Sequence, residues 1–405
     1  MLPDLTASKI IMNFLETFIE FAQYYNRFFH FYLVIGICTF GVCSNLINVL
    51  VLSRQPMRST PINVLLGGLS LGQLLLLANY LFLTIYQKLS LPSCTELRTY
   101  SWLLYVAVSV NLNVVLHTIA LACTCLLAIF RYLAIHFPAR KLVTVQRVRK
   151  AIVITYLLVP VICAPVYATS IIIKDKYPVG YTCGPFHNNT IKQATYKLQY
   201  RPSIPQLLAY NFWFFGVACK VLPSICLAVL SFLLLQDLQR ASRRRKRLSN
   251  GSHSCQLQAQ SLKTCLSCSS SKAIANLGTS NNGANSIRVS IMLLLILLLF
   301  ILVELPIGLA AVLAGLNEDF RRKVYGNLGN FFNMLTLLYS SVNFVLYCTM
   351  SSQFRDAFRQ LFCPRITSAS ATTWLVPTSP PPNIDDSDEQ KNIILEAEEK
   401  QWAYV

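Results

Sequence analysis

Seven apolar stretches, each long enough to cross a lipid bilayer as a helix, constrain this chain more than any other feature. They run from about Phe31 to Leu52, Ile62 to Tyr86, Trp102 to Phe130, Ala151 to Ile173, Leu207 to Leu235, Ile291 to Leu316 and Tyr325 to Met350. Each meets or exceeds the roughly 20 residues that span the hydrocarbon layer. A soluble globule does not combine 54% apolar with 13% charged residues, so the expected fold is an all-α membrane protein, a seven-transmembrane-helix bundle over residues 31–350. An odd number of crossings puts the two termini on opposite sides.

Lys and Arg resist transfer to the outside and so set the orientation. With the N-terminus outside, 22 of the 35 basic residues fall in the inner loops and tail, 12 fall outside, and Lys220 lies within a span. Positive charge gathered at the inner face suits anionic lipid headgroups rather than nucleic acid. Residues 1–30 carry Asp4, Glu16 and Glu20 and no basic-then-apolar pattern. They are expected to form an extracellular tail without a cleaved leader, the first span acting as signal anchor.

Of 14 cysteines, only Cys94 and Cys183 fall in loops placed outside, where disulfides persist, and the two are expected to be bridged. Asn188-Asn189-Thr190 puts a glycosylation site, Asn188, on the same side, whereas Asn250-Gly251-Ser252 falls inside and is expected to stay unmodified. The third inner loop, about residues 237–288, opens with the basic run Arg243 to Arg247 and is rich in Ser, Asn and Gly. It is expected to be disordered apart from helix extensions, with Ser249 open to phosphorylation. Cys265 and Cys268 have zinc-knuckle spacing but no second pair nearby, so no metal or other cofactor is expected. Phe354, Phe358, Leu361 and Phe362 recur at helical spacing opposite Arg355 and Arg359, which predicts a short C-terminal amphipathic helix over 351–363 with Cys363 as an acylation site. Residues 364–405, Ser/Thr/Pro-rich and then acidic, read as a disordered cytoplasmic tail.

Ionisable groups deep in a span mark a function or a partner, and Lys220 and Glu304 are the clear cases. Two readings stay open: a structural ion pair, or Glu304 at the Pro306 kink sensing a ligand and moving its helix. Asn113 lies 18 residues before Arg131, about five turns at 3.6 residues each, and His117 lies about one turn further in. Both share a face with Arg131 but sit nearer the outside. His117 alone reads most simply as packing. Together with Lys220, Glu304, Asn333 and Tyr339, the two outline a polar ligand cavity.

Family landmarks recur in order along the spans: Asn45; Phe130-Arg131-Tyr132; Trp213-Phe214 with Lys220-Val221-Leu222-Pro223; Glu304-Leu305-Pro306-Ile307-Gly308; and Asn343-Phe344-Val345-Leu346-Tyr347-Cys348 running on to Ser352-Gln353-Phe354-Arg355. Over about residues 31–363 the chain resembles a rhodopsin-like G-protein-coupled receptor, specifically the invertebrate myosuppressin-receptor-like group of FMRFamide-type neuropeptide receptors, allied to the nematode class W serpentine receptors. The resemblance implies a plasma-membrane receptor for an amidated peptide ligand, signalling through a heterotrimeric G protein and meeting arrestin through a phosphorylated tail. It makes Arg131, Tyr132, Asn343 and Tyr347 the G-protein switch.

The departures from that pattern carry expectations of their own. Gln73 stands where such receptors hold a sodium-binding aspartate, and a neutral amide cannot supply that charge. Asn330 and Asn333 follow Leu328-Gly329 where the subgroup shows two aspartates, which points to a different peptide preference. The family's third-helix cysteine would fall near Val106, so Cys94 is displaced toward the loop. Phe130 replaces the acidic neighbour of the arginine; that restraining ion pair cannot form, and elevated basal activity is expected.

Other classes fit less well. An opsin needs a Schiff-base lysine between Tyr325 and Met350, where none occurs. A transporter would show repeated halves, and no nucleophile–base arrangement suggests an enzyme. The alternative on the same fold is a chemoreceptor for a small molecule. A second outer loop of about 33 residues and an aromatic N-terminal tail favour a peptide.

Overall fold

The computed structural model describes residues 17–55, 57–89, 99–137, 142–175, 196–201, 203–259 and 270–362. Cys94, Cys183, Asn188, Cys265, Cys268 and Cys363 lie outside the described residues. The bundle helices are α1 (His30–Leu52), α2 (Pro61–Leu89), α3 (Tyr100–His136), α4 (Val145–Ile162), α5, α6 (Ser270–Leu316) and α7, followed by α8 (Ser352–Phe362). Helix α5 joins Pro205–Trp213, the π-helical turns Phe214–Val221 and Leu222–Ala259; α7 joins Glu318–Phe320, the π-helical Arg321–Tyr325 and Gly326–Met350. Seven helices among the described residues are long and apolar enough to cross a membrane.

Local chemistry sets several boundaries. The Thr99 hydroxyl accepts from the Trp102 amide at 3.3 Å to start α3, and Thr144 does the same for Arg147 at the start of α4; each satisfies an amide that the first helical turn leaves unpaired. At the far end of α7, Arg355 Nη1 donates to the carbonyls of Cys348 at 3.2 Å and Thr349 at 3.1 Å, so α8 caps the helix before it. Phe354 is buried, its ring 5.6 Å from Tyr347 and 6.1 Å from Phe344, and Phe358 packs on the same cluster while Phe362 is exposed.

The fourth span differs from its sequence reading. Apolar character runs on to Ile173, but α4 ends at Ile162, one helical turn follows at Ala164–Tyr167, and Ser170–Lys174 forms β1. It pairs antiparallel with β2 (Tyr196–Tyr200), Ile172 opposite Leu198, so the helical bundle carries a small β-hairpin at one end. Pro160 and Pro165 disrupt helix continuity here. A short run of isoleucines carries no periodicity that tells helix from strand.

Helices α1, α2 and α7 pack closely. A Cβ on Gly41 would stand 2.8 Å from Leu77 Cδ1 and collide with Ser341; its absence lets Asn45 Nδ2 donate to the Ser340 carbonyl at 2.9 Å. Helix α4 is the outlier, with only 11% of its span buried. Its exposed Val153, Ile154, Leu157, Leu158 and Val161 form an apolar face suited to lipid.

Part of the segment expected as an N-terminal tail, residues 17–28, is a helical arm docked on α7. Ala22 is buried against Val324 and Leu328, and Asn26 Nδ2 donates to the Asn327 carbonyl at 3.2 Å. The Tyr25 hydroxyl lies 3.0 Å from His30 Nδ1. Burial, and secondarily Tyr80, push the Tyr25 phenol up to about 12, so it keeps its proton at neutral pH.

Candidate functional site

A cavity of about 1120 Å³ opens at the hairpin end of the bundle, walled by the start of α1, by α2, α3, α5, α6 and α7, and by the two strands. Asn113, His117, Lys220 and Asn333 line it, as the sequence suggested, and so does Asn330. Glu304 lies behind this lining at 0% exposure. Its Oε2 is 2.5 Å from Lys220 Nζ and 3.3 Å from His117 Nε2, and the last two atoms are 3.3 Å apart. The ion pair is therefore formed, with His117 as a third member that sequence reasoning placed nearby without connecting it. Glu304 Oε1 has no hydrogen-bond partner among the described residues.

Helix geometry explains how these charges meet. Pro223 has no amide hydrogen to continue an α-helical ladder, and the wider π-helical turns before it contain Lys220. One turn past Glu304, Gly308 has no Cβ; one built there would stand 2.8 Å from Lys220 Cβ. Helices α5 and α6 thus approach closely enough for Lys220 to reach the carboxylate.

Tyr339 requires a correction. It does not line the cavity but is buried beneath it with Leu121, Leu297 and Phe300, its ring 5.4 Å from that of Phe300. Six residues beyond Asn333 on one helix amount to about 240° of rotation and about 9 Å of descent, which removes it from the lining.

The polar wall extends to residues that sequence reasoning missed. Asn79 Nδ2 donates to Asn113 Oδ1 at 2.9 Å and to the Ser109 carbonyl at 3.0 Å, and Ser109 Oγ returns a bond to Asn79 Oδ1 at 2.9 Å. Tyr80 lines the same wall as Asn333. An asparagine inside an apolar span was the available signal. Among the described residues, the lining holds no carboxylate.

At the opposite end, an Arg131 guanidinium nitrogen donates to Ser290 Oγ at the start of the α6 span, while its Nε is buried without a partner among the described residues. Tyr132 stacks on His136 at 4.1 Å, and His136 Nε2 is 3.4 Å from Asp237 on α5. Asn343 Nδ2 donates to Gln73 Oε1 at 2.8 Å, both residues buried. Tyr347 packs on Phe354. The four expected switch residues therefore divide into two groups. Arg131 and Tyr132 belong to the α3–α5–α6 side, Asn343 and Tyr347 to the α2–α7–α8 side. Ser290, a serine beside a basic loop, carried no recognisable pattern.

Residues 29–365 match the family described as serpentine type 7TM GPCR chemoreceptor Srw. The chain is similar to "G-protein coupled receptor dmsr-1" of Caenorhabditis elegans, 29% identical over 368 residues that cover 86% of this chain and 71% of that protein. It is also similar to "Sex peptide receptor-related protein 2" of the same organism, 28% identical over 358 residues, 82% of this chain and 73% of that protein. Such a receptor is a multi-pass membrane protein and not an enzyme, and its partners are an extracellular ligand and a G protein. The match runs from the residue before α1 to beyond α8 and takes in every bilayer-length helix, so the chain belongs to the class W serpentine family of seven-transmembrane G-protein-coupled receptors.

Proposed function

We propose that this receptor is activated by an amidated neuropeptide of the FMRFamide or myosuppressin type, with the hairpin end outside the plasma membrane and a heterotrimeric G protein at the Arg131 end. The observation that carries the reading is the cavity. At about 1120 Å³ it exceeds the roughly 300–1,000 Å³ usual for small-molecule sites. Amide and hydroxyl side chains share most of its polar lining, the amides running from Gln87, Asn111 and Asn113 to Asn211, Asn330 and Asn333. Amides both donate and accept, which suits a peptide backbone. The name of one relative also refers to a peptide receptor.

A peptide reaching the floor would bear on Lys220 and, through it, on Glu304 two residues before Pro306. Movement of α6 about that proline would draw Ser290 away from Arg131 and open the inner face. Expression with promiscuous G-protein reporters and a panel of amidated FMRFamide-like and myosuppressin-like peptides tests the reading; a nanomolar response is expected. Silence toward all peptides in cells with verified surface receptor, together with a response to small molecules, would favour the chemoreceptor alternative.

A further inference from the structure

We infer that His117 and Lys220 form a subsite that distinguishes a C-terminal primary amide from a free carboxylate, an inference that rests on the peptide reading. The argument begins with Glu304 Oε2, on which Lys220 Nζ and His117 Nε2 converge at 2.5 and 3.3 Å. A carboxylate oxygen only accepts and an ammonium only donates. Convergence is satisfied when Nε2 carries the imidazole proton and donates to Oε2 beside Lys220. The 3.3 Å between Nε2 and Nζ is then the spacing of two donors sharing one acceptor. In that tautomer Nδ1 is a bare lone pair, and it makes no hydrogen bond within the protein among the described residues. His117 and Lys220 both line the cavity, with side chains 18% and 15% exposed.

The floor therefore offers an acceptor, His117 Nδ1, beside a donor, the remaining N–H groups of Lys220. A primary amide presents the complement, an N–H₂ that donates and a carbonyl that accepts. A free carboxylate would set a lone pair against Nδ1. It would also bring a second negative charge toward Lys220, whose charge Glu304 already neutralises. A methyl ester keeps the carbonyl and the neutrality but lacks the N–H. Sites built around a specific hydrogen bond reject analogues that leave a buried group unpaired far more strongly than apolar pockets reject a change in size.

The test uses each peptide of the amidated panel together with its free-acid and methyl-ester forms, on wild type, His117→Phe and His117→Gln, with surface expression read from an N-terminal epitope. On wild type, the amide is expected to be more potent than both other forms by about 100-fold or more. His117→Phe should collapse that preference, and His117→Gln, whose side-chain oxygen accepts, should restore much of it. Equal potency of amide and ester on wild type overturns the inference without any variant having to fold, and leaves the peptide reading standing. A preference that persists undiminished in surface-expressed His117→Phe also overturns it. Failure of every form of every peptide on a surface-expressed wild type overturns the peptide reading itself.

Discussion

Glu304 has little latitude: at 0% exposure its charge is held by Lys220 and His117. Lys220→Met leaves a buried carboxylate without its cation, and breaking such a pair costs about 3–5 kcal/mol. Thermal unfolding of the purified receptor should show that loss, and Lys220→Met/Glu304→Gln should recover much of it. Unchanged stability and agonist potency in the single variant would remove both the structural and the sensing role. Gln73 makes a second residue-scale prediction. Its amide pairs with Asn343 in place of an ion-binding carboxylate, so agonist potency should not change when sodium is replaced by choline at constant ionic strength. Lys220 and Glu304 were legible in the sequence because a charge within a span is rare. Asn79 and Ser290 were harder to read, because what distinguishes them is a partner on another helix, 34 and 159 residues away.

At the scale of elements, the proposed activation turns on the α5–α6 pair. Gly308→Val would set branched carbons where a single Cβ already stands 2.8 Å from Lys220 and 3.1 Å from Val221. Overpacking of this kind costs about 1–3 kcal/mol, and differential scanning fluorimetry should register it together with a loss of agonist potency. The α3–α6 contact makes the complementary prediction. Phe130 gives Arg131 no acidic neighbour, and the guanidinium bonds Ser290 instead. Basal signalling should be measurable in wild type and higher in Ser290→Ala at matched surface expression; a silent unliganded receptor in a G-protein assay would count against this account. Helix identities were legible because bilayer thickness fixes their length. The hairpin was not, because Ile171, Ile172 and Ile173 continue the hydropathy of α4 although their backbone is a strand. Tyr339 was assigned to the right helix but the wrong depth, since motif spacing supplies an order of residues and not a rotation.

For the whole molecule, charge bias, the Asn188 sequon and the family resemblance converge on one orientation. Glycosidase treatment should shift the mobility of the wild-type protein and of Asn250→Gln, but not of Asn188→Gln. A shift lost only in Asn250→Gln would invert the bundle. The cavity and the Arg131 end lie at opposite ends of the bundle, and α5 is one of the helices that runs the distance between them. Its π-helical turns at Phe214–Val221 hold more residues per turn than the α-helix on either side. The wider turns absorb an extra residue, so removing one there would return α5 to regular winding with its two halves near their present register. The same deletion in a regular stretch would rotate one half against the other by about 100°, with a shift of about 1.5 Å. A single-codon gap in the π-helical segment would therefore reshape the wall around Lys220 while Asn211 and Phe212 keep their place in the cavity lining and the far half of the helix keeps its register.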